Sequence, residues 1–401
     1  MRDIIKTNPE TRTAVFLFTL ALGIRFLYLI LFPAGQLISD PNTYLIRATD
    51  LAETGRYIDD LGDFTAYMPP GTSFLLIPFV LIGNRWLMDI AFALISALTV
   101  SIAFLFFIKS GVNRNRATIA GILLSIIPGW ILYTGFPNSE VPFTLLLFAA
   151  FFVLVAYERA PRFMLAGFLI GISMLFRTIG FFALPLAIIF EWHRRRLRIG
   201  ELLTAIAFIV IGCAIAVAPW SIRNMVRLGT PAISTNTGVN LRMGCCDNAV
   251  GTYDASIDTL PETMSETERN RIYIGQSLDW LKHNPAAWVI SIPKKVFYLW
   301  GMERCGMDWR NIANHRLKWI SGYIWHVIWY AILAFGIWAA VKHRREFTRD
   351  PIFALSVLSV IGVTIFHTFF FGAGRFHFPV AWAPIYWIAM ELSPTNLIKK
   401  T

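Results

Sequence analysis

The chain has 401 residues, of which 56% are hydrophobic and 15% charged, with a mean hydropathy of +0.56. A soluble domain carries about a quarter charged residues, so a water-soluble enzyme, a disordered chain and a disulfide scaffold are excluded. The net charge of +11 raises the question of nucleic acid, which the placement of the basic residues answers below.

A bilayer core of roughly 30 Å takes about 20 apolar residues per helix. Runs of that kind predict ten transmembrane helices, within a range of 8–12, at about 14–32, 86–108, 117–136, 141–157, 162–176, 178–192, 201–219, 320–341, 352–371 and 376–391. The first contains Arg25 and lacks a small-x-small cleavage site, so it reads as a span rather than a signal peptide. A cation at that depth calls for a carboxylate or phosphate partner. Residues 71–83 and 285–300 are apolar but short or interrupted, the second by two central lysines; both suit interfacial helices. The expected fold is an all-α polytopic membrane protein, a single integral domain over 1–401.

With the N-terminus inside, half of the 36 Lys and Arg fall in short inner loops such as HRRRLR and KHRRE. The excess charge is therefore a topology signal, and nucleic acid has no support. Two large segments, 33–85 and 220–318, lie outside, and an outward-facing site built from them is the natural expectation.

Ser39-Asp40-Pro41 opens the first outer loop and begins an amphipathic helix containing Tyr44. Asp40 reads either as a carboxylate facing a cavity or as a helix cap. Tyr67-Met68-Pro69-Pro70-Gly71 then stiffens the chain into a turn back towards the membrane. Glu140, at the mouth of two spans, faces a polar cavity or simply favours the N-terminus of the next helix. Arg177 sits between two apolar runs, where it snorkels to head groups or binds an anion. The seventh span ends in Pro219-Trp220-Ser221-Ile222-Arg223-Asn224, followed by a stretch rich in small polar residues, Thr235-Asn236-Thr237-Gly238-Val239-Asn240-Leu241-Arg242-Met243-Gly244. That composition suits a backbone approaching a sugar or phosphate, and equally an ordinary turn-rich loop. Arg375 and His377 stand at the mouth of the last span, placed to bind a phosphate or to anchor the helix at the interface.

Cysteine is scarce and has no zinc spacing. Cys245 or Cys246 could pair with Cys305 in the outer loop, while Cys213 reads as a packing residue within a span. Asp40 and Glu140 could share a divalent metal with water.

The order and spacing of these motifs resemble the bacterial GT-C glycosyltransferases, the group of protein mannosyltransferases, lipid A aminoarabinose transferases and related lipopolysaccharide sugar transferases. The similarity runs from about residue 12 to 391, and Pro219–Asn224 and Ser234–Gly244 are its most specific parts. The resemblance implies an inverting glycosyltransferase of the inner (plasma) membrane with its active site on the periplasmic side. Its donor would be a sugar carried on a polyprenyl phosphate, and its acceptor an extracytoplasmic glycan, lipid A or core oligosaccharide, polysaccharide or protein. It implies Asp40 as the catalytic base and Glu140 as the acid of the second loop. Arg375 is implied near the lipid phosphate, and the reaction's chemistry adds Arg177 as a second cation there. Tyr44, Tyr67, Arg223, Asn224, Asn236, Asn240 and His377 are the candidate substrate contacts. The chain departs from many relatives in having Pro41 where they carry a second acid. It also ends at the last span, without a soluble C-terminal domain, which leaves acceptor recognition to 220–318. The rival function is a flippase for lipid-linked sugars, but such carriers place acids mid-membrane in paired repeats, whereas the acids here cluster at outer mouths.

Overall fold

The computed structural model describes residues 8–393 apart from 34, 262, 302–305, 307 and 309–314. Among the described residues the fold is all α, and the only β pairing is an isolated bridge between Ile58 and Phe64. The helices are α1 Pro9–Leu31, α2 Asp40–Thr54, α3 Gly71–Ile82, α4 Arg85–Lys109, α5 Arg114–Ile126, α6 Pro128–Leu132, α7 Glu140–Ala156 and α8 Pro161–Phe176. There follow α9 Ala183–Arg195, α10 Ile199–Leu228, α11 Thr237–Gly244, α12 Glu266–His283, α13 Pro285–Leu299, α14 His315–Lys342, α15 Pro351–Phe369 and α16 Trp382–Leu392.

Among the described residues five helices are long and apolar enough to cross a membrane: α1, α4, α10, the Gly322–Lys342 part of α14, and α15. The chain is a polytopic membrane protein, but fewer of its helices reach spanning length than the ten expected. Three of the expected runs are broken. The run at 117–136 splits at Pro128, because the residue before a proline is driven out of the helical region; Ile127 is extended at φ −62°, ψ 128°. The runs at 178–192 and 376–391 each begin as a 3-10 turn, Thr178–Phe182 and Gly374–Val380. That leaves α9 with 13 residues and α16 with 11.

Helices α8 and α10 pack through glycines. A Cβ on Gly167 would lie 2.1 Å from the Ile209 carbonyl oxygen, and one on Gly212 would lie 2.0 Å from that of Met164. Backbones approach this closely only where side chains are absent, the usual device for pairing helices in lipid.

Arg25 is fully buried, and among the described residues no carboxylate meets it. Its Nε donates to Ser96 Oγ at 3.1 Å and its Nη1 to the carbonyl oxygens of Ala21 and Ser125. Ser125 lies in the last turn of α5, where carbonyls lack helical partners, so the break before Pro128 supplies the acceptor. Helices form over both segments expected to lie at the interface, α3 and α13. Lys295 of α13 nevertheless turns inward: it is fully buried and donates to the Thr368 carbonyl oxygen at 2.7 Å.

Candidate active site

The segment 33–85 is held against the segment 220–318 by a set of hydrogen bonds. Arg223 donates from Nη1 to the Thr65 carbonyl oxygen at 2.8 Å and from Nη2 to that of Tyr57 at 2.7 Å. Within the second segment itself, Asn224 donates to the Ala232 carbonyl oxygen at 2.7 Å and Trp220 to that of Ile233 at 2.9 Å. Ser234 Oγ donates to the Tyr67 carbonyl oxygen at 2.9 Å. The Glu266 carboxylate accepts from Thr65 Oγ1 at 2.6 Å and from Ala66 N at 2.7 Å. The Pro-Trp-x-x-Arg-Asn motif therefore braces the backbone at 57–66 and so sets where Met68 and Pro69 lie.

Met68 and Pro69 form part of the wall of a cavity of about 150 Å³, which Asp40, Arg177 and Arg375 also line. Asp40 is the first residue of α2. It follows Ser39, whose backbone has φ 58°, a region costly for a residue other than glycine. Neither side chain caps the helix. The Asp40 carboxylate instead forms an ion pair with Arg375, brought from the far end of the chain by the turn Gly374–Val380. One helical turn on, Tyr44 is buried in the cavity wall. Burial, aided by the negative charges of Asp40 and Glu140, pushes its phenol well above the usual range, so it stays a neutral donor.

Glu140 heads α7 with only 1% of its surface exposed and pairs with Arg177. Ser139 Oγ accepts from Arg177 Nη1 at 3.1 Å and donates to Glu140 Oε2 at 3.3 Å. Asn138, fully buried, fixes this corner by donating to the carbonyl oxygens of Tyr133 and Phe136 and accepting from Val141 N. Glu140 does not line the cavity. It stands behind Arg177 and holds that guanidinium in the wall. Both arginines also lie over one ring, with Arg375 Cζ 5.0 Å and Arg177 Cζ 5.4 Å from the Phe376 centroid. Two guanidiniums, one partly exposed acid and a flat aromatic thus converge from three separate segments.

Asn236 and Asn240, before and within α11, line the same cavity. Arg223 and Asn224 do not, being engaged in the brace. Tyr67 lies outside it, in a polar cleft of about 650 Å³ that shares Met68 with the cavity; burial, then nearby Asp258, pushes its phenol up to about 12. His377 is fully buried away from the cavity. It lies 4.4 Å from Trp329 and 5.5 Å from Trp300 in parallel stacks, with Nδ1 on the Leu299 carbonyl oxygen at 2.7 Å. Sequence reasoning passed over Ser139, His367 and Phe376. Ser139 and Phe376 adjoin chosen residues, whereas His367 sits unmarked in an apolar run.

A second, apolar cavity of about 270 Å³ runs along α9 and α15 between residues such as Leu186, Ile189, Leu358 and Val363. It shares Arg177, Ile179 and Phe376 with the first. The polar chamber and the oily groove are thus separated by one arginine and one aromatic ring.

Among the described residues no three His, Cys, Asp or Glu side chains gather as metal ligands. Of the two acids that could share a divalent ion by sequence, Asp40 faces Arg375 and Glu140 faces Arg177, so the carboxylates as arranged do not make a metal cradle. Cys213, Cys245 and Cys246 are free thiols; Cys305, the expected partner, lies outside the described residues.

No known family's sequence profile matches the chain, and no curated protein does. In structure the chain is similar to the oligosaccharyltransferase AglB of the archaeon Archaeoglobus fulgidus. Against that enzyme in complex with an inhibitory peptide and a dolichol-phosphate, the TM-score is 0.55 at 13% identity, covering 97% of this chain and 50% of that one. Against its crystal structure with zinc and sulfate the TM-score is 0.55 at 15% identity, covering 95% and 49%. Against the apo form it is 0.56 at 12% identity, covering 97% and 51%. The chain spans about half the length of these solved structures. At such identities the likeness is one of fold, and it is the membrane fold expected from the resemblance in sequence.

Proposed function

We propose that the chain is an inverting glycosyltransferase that moves a sugar from a polyprenyl-phosphate donor to an acceptor hydroxyl on the outer face of a bacterial inner membrane. One observation carries this reading: the chamber holding Asp40, Arg375 and Arg177 adjoins an apolar groove across Arg177 and Phe376. A lipid phosphate needs that juxtaposition, a cationic seat for its head and a hydrocarbon channel for its tail. The archaeal enzyme of like fold, studied with a dolichol-phosphate, supports the same donor chemistry.

The donor phosphate takes bidentate contacts from Arg375 and Arg177, the latter held in place by Glu140. Turning Arg375 to the phosphate releases Asp40 from its ion pair. The freed carboxylate removes the proton of the acceptor hydroxyl as that oxygen attacks the anomeric carbon. The bond from that carbon to the phosphate oxygen breaks, and its electron pair goes to the phosphate, where the guanidiniums stabilise the charge. Attack opposite the leaving group inverts the anomeric centre and leaves the proton on Asp40. Asn236 and Asn240 offer amide contacts to the sugar. The cleft beyond Met68, lined by Arg47, Glu266 and Arg269 among others, gives a hydroxyl-bearing glycan or protein a polar approach to Asp40.

The test is mass spectrometry of envelope glycolipids and glycoproteins from a strain lacking this chain. One sugar should be missing, restored by the wild-type protein and not by Asp40→Asn. An unchanged envelope, or full restoration by the variant, overturns the reading.

A further inference from the structure

His367 lies in the last turn of α15 and forms part of the chamber wall. Its side chain is 5% exposed, and its ring stacks on Phe376 at 4.5 Å and 10°. This is the ring that both guanidiniums overlie, so the histidine stands beside the seat of the donor phosphate. Nδ1 lies 3.2 Å from the Phe371 carbonyl oxygen. A carbonyl only accepts, so Nδ1 carries a proton and donates. In the neutral ring Nε2 is then left with a lone pair, and Nε2 is buried without a hydrogen-bond partner. Leaving a buried polar atom unpaired is costly, and native proteins do so at few positions.

We propose that His367 is a specificity residue of the donor site: its Nε2 accepts a hydrogen bond from a hydroxyl of the sugar carried on the lipid phosphate. This rests on the reading of the chamber as a polyprenyl-phosphate sugar site and adds which part of the donor is selected. The sugar is joined directly to the phosphate, so with the phosphate on Arg375 and Arg177 its hydroxyls reach the wall beside Phe376. A lone pair there welcomes an O–H donor and disfavours a group that can only accept, such as a carboxylate. The site thus favours a neutral, hydroxylated sugar over a uronic acid at this position.

Two variants separate the ring's two nitrogens. His367→Asn keeps a donor for Phe371 and loses the chamber acceptor, whereas His367→Gln places an amide oxygen near the position of Nε2. Purified protein in detergent is titrated with bare undecaprenyl phosphate, with undecaprenyl-phosphate-linked glucose, galactose and mannose, and with monodeoxy versions of the best-bound form. The wild type should prefer one sugar-loaded lipid and lose about tenfold or more in affinity when one particular hydroxyl is removed. His367→Asn should show that loss with the intact sugar and no further loss with the deoxy form, while binding the bare phosphate normally; His367→Gln should keep most of the preference. Equal discrimination by the wild type and His367→Asn overturns the proposal, as does an equal fall in bare-phosphate binding, which would mark a structural or phosphate-binding role. A wild type that binds the bare lipid phosphate but gains nothing from any sugar also overturns it, with the lipid-phosphate reading intact. A wild type that binds none of these lipids removes both.

Discussion

Asp40 and Arg375 are 335 residues apart in the chain and meet as an ion pair in the chamber wall. Their side chains are 24% and 16% exposed, open enough for a phosphate to compete for the arginine. On the proposed mechanism, a donor phosphate that takes Arg375 frees the Asp40 carboxylate from this pair.

Asp40→Asn keeps the size of the side chain and an oxygen for Arg375 but removes the proton acceptor. Initial rates of sugar transfer should fall about 10²–10⁴-fold, the usual contribution of a general base. The thermal unfolding midpoint should barely change, because the pair is partly exposed and such pairs contribute little to stability. Near-normal transfer by the variant would remove Asp40 from the mechanism.

Glu140 and Arg177 make the opposite case. Glu140 is almost fully buried and faces Arg177, whose side chain is 15% exposed. Glu140→Gln leaves that cation short of its counter-charge, and breaking such a pair typically costs about 3–5 kcal/mol. Arg177→Gln should destabilise as well, and the double variant by less than the sum of the two, since both halves of the pair are then neutral. Denaturant unfolding in detergent micelles measures all three; strict additivity would show that the pair does not act as a unit.

The charged residues of the site were legible because an apolar chain has few reasons to carry ionisable groups at helix mouths. Glu140, Arg177 and Arg375 stood out on that ground, Asp40 through the family resemblance, and the structure brings the four together. What the sequence could not convey was direction. Arg223 and Asn224 belong to a motif that looked like a ligand contact, yet Arg223 turns to the backbone of Tyr57 and Thr65, and Asn224 to that of Ala232. His377 resembled Arg375 in position, but the 3-10 turn sends one inward between two tryptophans and the other into the chamber. Glu140 reaches the chamber only through Arg177. The helix breaks were hidden for a different reason: averaged hydropathy does not register one proline, although Pro128 and Pro379 are plain to see. Arg25 was expected to find an anion, and partners such as the unpaired carbonyls of a broken helix appear only in three dimensions.

The glycine contact between α8 and α10 is tested by size. Gly212→Val puts a branched side chain where a single Cβ already comes within 2.0 Å of the Met164 carbonyl oxygen. Overpacking of this kind costs about 1–3 kcal/mol, and more where the neighbour is backbone and cannot move aside. The thermal midpoint in detergent should drop by several degrees. Gly200, on the same helix with nothing within 4 Å of its Cβ position, is the control: Gly200→Ala should leave the midpoint unchanged or raise it.

Cys245 reports on the docking of α11, the helix that carries Asn240. Its thiol is fully buried and donates to the Phe369 carbonyl oxygen at 3.0 Å. Gly244 beside it allows this approach, since a Cβ there would lie 2.3 Å from the same oxygen. Burial pushes the Cys245 thiol up to about 11, against the opposing pull of the Lys295 ammonium. The thiolate is the reactive species, so a raised value lowers the reactive fraction at neutral pH, and the native state binds a proton that the unfolded chain releases near its ordinary value of about 8.5. Two consequences follow with the same sign. Maleimide labelling of Cys245 in reduced, folded protein should be negligible at pH 7 and still climbing at pH 9–10, where an ordinary thiol has levelled off. Any stability due to this group should be complete below about pH 8.5 and decline as the pH rises towards 11. Peptide mapping after timed labelling, with a denatured sample as reference, measures the first; prompt modification at pH 7 in the folded protein would mean that α11 opens readily and that Asn240 is not held in the chamber wall.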